Sequence, residues 1–356
     1  MSAKYENPPA GESEQIEHII ELTRQQLMNR YPNPKPILRG VHPKDHGCVL
    51  GTFQVDATLK DALRVGVLSK PGAEYPCAIR FSNAATTVQP DNSVVAGKPV
   101  PGSRGMAIKL INIDAPDATG MVAVQDFLMV NHPVFAFANV ADYEALSEVI
   151  LRNNEDPTEF FLKPYKTDDA SKNRFQRTQL IVARIRGGTE SVPPFQQPPS
   201  HPAQNKYFSA APFLFGEGRV MKYRASPVDE PIVSPPDVVE PDYLRKALRQ
   251  RLDPTIQGNR PIQFRFGVQV RKIDQVDIDT EIEDASNEWD ESRYPFEDVA
   301  TITIHPQDFE TEAARDRCER IFLTPWHTHP DHRPLGGINR LRQKVYETSM
   351  KMRLGT

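Results

Sequence analysis

The sequence predicts an α+β protein in which antiparallel strands, arranged as a meander or a barrel, are surrounded by helices. Short apolar runs of strand length recur between Gly, Pro and Asp residues, which is the pattern of strands joined by turns. The 33 prolines exceed the usual share of about 5 % and argue against an all-helical bundle. Helical periodicity is confined to a few separate segments, and the sequence shows no repeat period.

The elements are predicted in a clear order along the chain. The first is an amphipathic helix over 13–30, which ends at YPNPKP. Strands are then predicted in GCVLGTFQVDA, YPCAIRFSNA, RGMAIKLINI and AVQDFLMVNH, with a short helix in LKDALRVGVLS. Helices follow in NVADYEALSEVILRNN and SKNRFQRTQLIVARIRGG. After a proline-rich connection, the sequence predicts strands in GRVMKYRASP, PIQFRFGVQVR and VATITIHPQ, and helices in ETEAARDRCERIFLTPW and the last 18 residues.

Composition narrows the class of protein. The net charge is −4, from 43 basic and 47 acidic residues, so no basic field favours nucleic acid as a partner. The first residues lack the apolar region of a signal peptide, and no run approaches the ~18 apolar residues of a membrane span. We therefore expect a cytoplasmic protein. Its three cysteines, Cys48, Cys77 and Cys318, have no metal-binding spacing and are expected to be reduced, buried thiols.

Two clusters near the first strands carry chemically active side chains. His42 lies at the entry to a strand, where a single histidine is more often structural than catalytic. It is four residues from His46, but Pro43 and Gly47 argue against a helix that would pair the two on a metal. Arg80 and Ser82 alternate with Phe81 and so share one face of a strand; that face either binds an anion or is solvated.

Two further clusters lie later in the chain. Asn131 follows an apolar strand and precedes His132 and Pro133, which is ordinarily a turn. His327, His329 and His332 lie within six positions, but two prolines interrupt them and their spacing matches no zinc pattern. We expect these three histidines to lie in a solvated, turn-rich loop.

The last predicted helix carries a phenol beside a guanidinium. Arg342 and Tyr346 are four residues apart and share one helix face, and Arg353 follows about two turns later. A fixed positive charge lowers the pKa of a phenol and favours the phenolate. A phenolate is a hard anionic ligand suited to ferric iron, and tyrosine is the axial haem ligand in catalase.

Taken in order, the segments resemble the haem catalase superfamily in its short, single-domain form. The resemblance spans roughly residues 35–355 and rests on RGVHPKDHGCVLGTFQV, IRFSNA, SRGMAIKL, VNHPVFAF, RVMKYRASP, ERIFLTPW and RQKVYETSMKMRLG. It implies an antiparallel β-barrel core of the haem catalase type with surrounding helices. It also implies an N-terminal helical arm over 1–34 and a catalase-like haem-binding domain over 35–356.

The resemblance assigns roles to individual residues. His42 would be the distal histidine, with Ser82 as its hydrogen-bond partner and Asn131 as the distal asparagine. Tyr346 would ligate the ferric iron of a haem b, with Arg342 beside it. The remaining cofactor-binding residues would be Val41 and Phe135 against the haem and Arg39, Arg80 and Arg353 on its propionates, since guanidinium groups suit carboxylates.

The implied function is a haem enzyme that consumes hydrogen peroxide, as a catalase or as a peroxidase with an organic electron donor. The alternative is an enzyme that converts organic or lipid hydroperoxides, or an oxidative tailoring enzyme, on the same scaffold; a third reading is a non-catalytic haem carrier. Relatives that rearrange lipid hydroperoxides alter the residue before the distal histidine, whereas Val41 is apolar, as in peroxide-degrading members. A homodimer or another homo-oligomer is expected.

Overall fold

An antiparallel barrel of eight strands forms the centre of the chain. The computed structural model describes residues 4–33, 36–85, 87–91, 93–95, 98–100, 102–113, 123–231, 233, 235 and 240–355. Its strands are β1 (Asp45–Val55), β2 (Glu74–Asn83), β3 (Ser93–Val95), β4 (Lys98–Val100), β5 (Arg104–Ile111), β6 (Val124–Val130), β7 (Tyr207–Phe208), β8 (Phe213–Leu214), β9 (Arg219–Val228), β10 (Ile262–Lys272) and β11 (Glu297–Ile304).

The barrel closes because its first and last strands pair. The order is β10–β11–β1–β2–β5–β6–β7–β9, and β9 then pairs with β10 along ten residues, from Val228 opposite Gln263 to Arg219 opposite Lys272. Strand β8 adds to β9, and β3 and β4 form a separate hairpin. Every pairing is antiparallel, so the α+β prediction with an antiparallel barrel is confirmed.

Alternation along the strands decides which side chains fill the barrel. Ile79 and Phe81 on β2, with the apolar residues at alternate positions on β5 and β6, belong to one buried core. Phe127 and Phe266 pack across this core with ring centroids 4.6 Å apart. The intervening residues of the same strands therefore point away from the barrel, and the predicted site residues Arg80 and Ser82 lie on this outer face.

Helices and loops cover that outer face. The helices are α1 (Glu12–Arg30), α2 (Val140–Arg152), α3 (Asp169–Ile185), α4 (Tyr243–Leu252), α5 (Glu312–Arg320) and α6 (Gly337–Leu354). Ile19 of α1 packs with Val140 of α2 and with Leu341 and Val345 of α6. The N-terminal segment thus lies against the last helix, while the predicted boundary between residues 34 and 35 lies outside the described residues. Within the described part of the chain, no helix combines the length and apolar character needed to cross a membrane.

Three local predictions differ from the structure. The short helix predicted in LKDALRVGVLS is two separate 3₁₀ turns, Asp61–Leu63 and Gly66–Leu68. Helix α4 was not predicted, although Leu244, Leu248 and Leu252 bury one of its faces. The prediction of a solvated loop at 327–332 is wrong, because this segment packs on the barrel.

Burial of that loop has a clear cause. The carboxylate of Asp126 projects from β6 and is fully buried, so it needs donors from whatever covers it. Lys109 Nζ is 2.6 Å from Asp126 Oδ1, and His327 Nδ1 is 3.1 Å from Asp126 Oδ2. His332 is 1 % exposed and stacks on Phe215. His327 therefore takes part in a buried ion cluster, and His332 packs against an aromatic ring.

The prediction of three reduced thiols is wrong for two of them. Cys48 of β1 and Cys318 of α5 form a disulfide between residues 270 positions apart, while Cys77 is a buried free thiol. Sequence spacing gave no sign of the pair because α5 and β1, which are distant in sequence, are brought together only by tertiary packing. The cross-link ties the last third of the chain to the first barrel strand.

We expect the paired substitution Cys48→Ser and Cys318→Ser to lower the free energy of unfolding by about 2–4 kcal/mol, because a cross-link over a long loop restricts the unfolded chain. Urea denaturation of the purified protein measures this loss. A reducing agent should lower the stability of the wild type to that of the double variant and leave the variant unchanged. Equal stability of wild type and variant without reductant would contradict the prediction.

Candidate active site

His42 is held over the outer face of the barrel by contacts at both its backbone and its ring. Its φ of 56° lies in the left-handed region, which non-glycine residues adopt at a cost. The backbone N–H donates to the carbonyl of Ala85 at 2.9 Å. Its Nδ1 lies 2.8 Å from the hydroxyl oxygen of Ser82 on β2. Sequence reasoning predicted this pair, and the structure brings the two side chains together across a loop and a strand.

The surroundings of His42 keep its imidazole neutral. Burial of the ring is the main cause, and the positive charges of Arg80 and Arg342 add to it, lowering the pKa of His42 to about 3. The charge of Arg342 comes from α6, whereas Arg80 lies on β2. His42 therefore lies between the barrel wall and the last helix, close to charged groups of both.

Asn131 lies just after β6, at the same end of the barrel as His42. Its backbone N–H donates to the carbonyl of Arg104 at 3.0 Å, and its Oδ1 accepts from the backbone N–H of Arg104 at 2.7 Å. Neighbouring His132 is buried, with Nε2 2.7 Å from the Ser103 hydroxyl, and burial lowers its pKa to about 4. Asn131 is thus a fixed residue anchored to β5 on two sides, with a neutral imidazole beside it.

Three arginines that are far apart in sequence, Arg39, Arg80 and Arg353, come close together near His42. Nη2 of Arg39 donates to the carbonyl of Ile321 at 2.7 Å, and Nη2 of Arg353 is 3.4 Å from the same oxygen. Arg80 is 4 % exposed, and the charge of Arg353 acts on it as on Arg39. Burial, followed by the charges of Arg80 and Arg353, lowers the pKa of Arg39 well below its usual range.

These guanidinium groups have hydrogen-bonding capacity that the described residues leave unused. The buried Nε atoms of all three and Nη1 of Arg353 have no hydrogen-bond partner among the described residues. Asp45 and Glu319 act on Arg80 electrostatically, but Asp45 forms its ion pair with Arg245 at 2.7 Å, and Glu319 is exposed. A buried cluster of like charges is unfavourable unless an anion accompanies it. The arrangement fits the carboxylates of a bound ligand, and two haem propionates would supply them.

Replacing Arg80 with methionine tests whether the three arginines form an anion site. The substitution should leave stability unchanged or raise it, and it should weaken the binding of haemin. We expect the haem-free variant to be as stable as the wild type or more stable, because a buried unpaired charge is replaced by an apolar chain of similar length. We expect haemin binding to weaken about tenfold or more, since a charge-assisted contact to a carboxylate contributes about 1.5–3 kcal/mol. Urea denaturation and haemin titration measure the two effects.

The exposed Arg320→Met variant is the matched control for Arg80→Met, because Arg320 pairs with Asp316 on the surface of α5. It should change neither quantity beyond a few tenths of a kcal/mol. A clear loss of haem-free stability in Arg80→Met would show that an internal partner already neutralises Arg80, and it would contradict the anion-site interpretation.

Helix α6 presents Tyr346 and Arg342 on one face. Gly336 is the residue just before the helix; its φ is 84° and an added Cβ would lie 2.2 Å from the carbonyl oxygen of Ile282, so only glycine fits. The Arg342 guanidinium carbon lies 5.5 Å from the ring centroid of Tyr346 and 5.8 Å from that of Phe135. The predicted i,i+4 pair therefore shares a face, and Phe135 joins it from the segment after β6.

The predicted site residues form three neighbouring groups. His42 and Ser82 are in contact, Arg342 contacts both Tyr346 and Phe135, and Arg39 and Arg353 share the carbonyl of Ile321. Val41 is partly buried beside His42. In the described part of the chain, no three His, Cys, Asp or Glu side chains come together as a metal site. Roles of these residues toward a cofactor stay predictions.

Sequence reasoning missed the polar network behind the site. Arg104 Nη1 donates to Asn83 Oδ1 at 2.8 Å, and Arg104 Nη2 contacts the carbonyl of Asp91. Buried Asp91 also pairs with Lys44 at 2.7 Å and lies 3.6 Å from buried His46. His46 therefore belongs to this buried network. The signal that could have found the network is the pair of polar residues, Asn83 and Arg104, at the ends of two apolar strands.

Comparisons with known proteins agree on the architecture. No family model matches the chain. The chain is similar to a fungal catalase (TM-score 0.65, 16 % identity, 90 % of this chain and 60 % of that one) and to catalase A from Saccharomyces cerevisiae (0.65, 16 %, 90 % and 62 %). It is also similar to a bacterial catalase (0.63, 16 %, 98 % and 62 %). The chain thus spans about three-fifths of the length of these structures.

One curated protein is similar in sequence over a shorter stretch. The chain is 34 % identical over 95 residues to a linolenate 9R-lipoxygenase from Nostoc sp., and the match covers 27 % of this chain and 11 % of that protein. The structural likeness, by contrast, extends over nine-tenths of the chain or more and includes the closed barrel. The chain therefore has the fold of the catalases.

Proposed function

We propose that this protein binds haem b, with Tyr346 as the ligand of the ferric iron, and consumes hydroperoxides. Hydrogen peroxide is the favoured substrate, either alone, as in a catalase, or with an organic electron donor, as in a peroxidase. The observation that carries the proposal is the convergence of the guanidinium groups of buried Arg80 and of half-buried Arg39 and Arg353, next to a neutral His42 and to the Arg342–Tyr346 pair. None of these three arginines forms an ion pair with a carboxylate of the described residues. The catalase fold supports it.

The cofactor's binding residues follow from their chemistry. Arg39, Arg80 and Arg353 would hold the propionates through charge-assisted hydrogen bonds. Tyr346 would provide an oxygen ligand for the iron, and the Arg342 guanidinium lies beside its ring. Phe135 would pack on the same side, next to Arg342. When bound, the haem would supply the oxidation and reduction chemistry.

His42 and Asn131 would handle the proton and the orientation of the substrate. If the ring donates its Nδ1–H to the Ser82 hydroxyl, Nε2 is left as the nitrogen that accepts a proton from the hydroperoxide. Because the pKa of His42 is about 3, the ring is neutral and ready to act as this base at physiological pH. It can then return the proton to the departing oxygen. Asn131, held by two contacts to Arg104, would orient the substrate.

A second candidate function is conversion of fatty-acid hydroperoxides. It is favoured by the sequence similarity to a linolenate 9R-lipoxygenase, a protein named for a reaction that introduces oxygen into a fatty acid. The product of such a reaction is an organic hydroperoxide, and His42 together with a haem could act on this substrate as well. The apolar Val41 beside His42 favours the smaller substrate, as the resemblance implied.

Replacing Tyr346 with phenylalanine tests the proposal. We expect the wild type to bind haemin with a high-spin ferric spectrum, and the variant to lose that spectrum because the phenolate oxygen is gone. Tyr143→Phe is the matched control, since Tyr143 is a second tyrosine packed against α6, and its spectrum should match the wild type. Failure of the wild type to bind haemin would overturn the proposal.

Substrate assays on the haem-loaded protein then separate the two candidate functions. Oxygen release from hydrogen peroxide indicates a catalase, and oxidation of an added phenol without oxygen release indicates a peroxidase. Loss of linolenate hydroperoxide, with little turnover of hydrogen peroxide, would favour the second candidate. Haem binding without turnover of any of these would contradict both.

A further inference from the structure

Gly105 lies against the ring of His42. It is on the outer face of β5, opposite Ser82 of β2 and Val130 of β6. A Cβ atom built on Gly105 would lie 2.5 Å from His42 Nδ1, 2.6 Å from His42 Cε1 and 2.8 Å from Ser82 Oγ. Cβ atoms in proteins essentially never make contacts shorter than 3.0 Å, so no residue larger than glycine fits while the His42–Ser82 pair is in place.

The backbone conformation of Gly105 does not require glycine. Its φ is not among the positive values found at other glycines of the chain, and it lies within a regular strand. Glycine in the interior of a strand weakens the strand, and it often marks a close approach by another group. Here the approaching group is the imidazole of His42.

Neither side of this contact can easily move away. Strand β5 is hydrogen-bonded to β2 on one side and to β6 on the other, so its backbone cannot shift without disturbing the barrel wall. The backbone of His42 is held by its N–H bond to Ala85. The adjustable part is the rotation of the ring, and that rotation decides where Nε2 points.

We propose that Gly105 is a positioning residue for His42. The missing side chain creates the space in which the ring lies against β5 with Nδ1 on Ser82. In the proposed function this leaves Nε2 free for the substrate. The catalytic meaning of this placement rests on the proposed function, while the physical coupling between the two residues does not. Replacing Gly105 with alanine would push the ring off Ser82 without removing any catalytic group.

A double-mutant cycle on the haem-free protein tests the coupling. The variants are Gly105→Ala, His42→Ala and the two combined, and the readout is the urea midpoint of unfolding. We expect Gly105→Ala to lower the midpoint in the wild type and to lower it by less than half as much in the His42→Ala background, because the clash with the ring is gone and the Ser82 hydroxyl is free to rotate. An equal loss in both backgrounds would overturn the proposal.

The cycle includes a control and a safeguard. Gly267→Ala places a Cβ in barrel strand β10, 3.0 Å from the Asp298 side chain, and its effect should be the same with or without His42. If Gly105→Ala by itself does not fold, folding of the double variant becomes the readout. Recovery of folded protein would support the proposal, and an unfolded double variant would overturn it.

A second readout addresses the position of the ring in the haem-loaded protein. Hydrogen cyanide must lose its proton when it binds ferric iron, so a well-placed distal base speeds its association. We expect the association rate constant to fall about tenfold or more in Gly105→Ala, with the haem spectrum retained, and to be unaffected in Gly267→Ala; a general base contributes about 10²–10⁴-fold. An unchanged rate in Gly105→Ala would overturn the proposal. If the wild type binds no haemin, the proposed function fails, and the haem-free cycle still decides the coupling.

Discussion

Replacing His42 with alanine is expected to lower the rate of hydroperoxide consumption by about 10²–10⁴-fold while haemin binding persists. The reason is that His42 would be the base of the proposed reaction, because its ring is neutral and its Nε2 is left for the substrate while Nδ1 is engaged by Ser82. The side chains proposed to hold the propionates and the iron, those of Arg39, Arg80, Arg353 and Tyr346, are unchanged in this variant. Steady-state turnover, normalised to bound haem, measures the effect.

Two further results bear on the same residue. Ser82→Ala should lower the rate by less than His42→Ala, because it frees the ring but leaves the base in place. The wild-type rate should show no acid limb at the usual histidine pKa near 6.5, because the folded protein keeps His42 neutral until about pH 3. A loss of activity centred near pH 6.5, or an active His42→Ala variant, would contradict the role assigned to this ring.

Replacing Arg340 with methionine is expected to lower the free energy of unfolding by about 3–5 kcal/mol. Its guanidinium contacts three carboxylates, with Nη1 2.7 Å from Glu6, Nε 2.6 Å from Glu12 and Nη2 2.7 Å from Glu283. All three carboxylates are buried. Removing the arginine would leave Glu12 and Glu283 without this countercharge, while Glu6 would keep Arg333 at 2.7 Å. Mutual repulsion of the carboxylates would add to the loss.

This cluster joins distant segments to the start of α6. Glu6 accepts the backbone N–H of Gly336 and Glu283 that of Gly337, both at 2.9 Å, so acidic groups lie at the positive end of the helix that carries Tyr346. We therefore expect Arg340→Met also to increase proteolysis of the N-terminal segment. Urea denaturation and limited proteolysis measure the two effects.

The matched control for Arg340 is again the exposed Arg320 of α5. Arg320→Met removes one surface ion pair and should change stability by less than about 1 kcal/mol. If Arg340→Met were no more destabilising than Arg320→Met, the buried cluster would contribute little to holding the N-terminal segment on α6, and the interpretation would be wrong.

Local sequence patterns were sufficient to predict most of the long strands and helices of this fold. Alternating apolar residues predicted the long strands, and 3.6-residue periodicity predicted the first and last helices, because both patterns reflect burial on one side of a regular backbone. Helix α4 was missed because its polar face and its short length weaken the periodic signal. The two 3₁₀ turns at 61–68 were misread because three-residue turns share their composition with helix ends.

Some features of the candidate site could also be predicted from local sequence spacing. Arg342 and Tyr346 were expected to share a helix face, and Arg80 and Ser82 a strand face, since helical and strand geometry act over a few residues. Burial of that strand face and the convergence of Arg39, Arg80 and Arg353 became visible only in the folded chain. The same is true of the disulfide between Cys48 and Cys318 and of the contact between His42 and Gly105. Those contacts join residues tens to hundreds of positions apart. They depend on barrel closure and on the packing of α5 and α6, which no local pattern encodes.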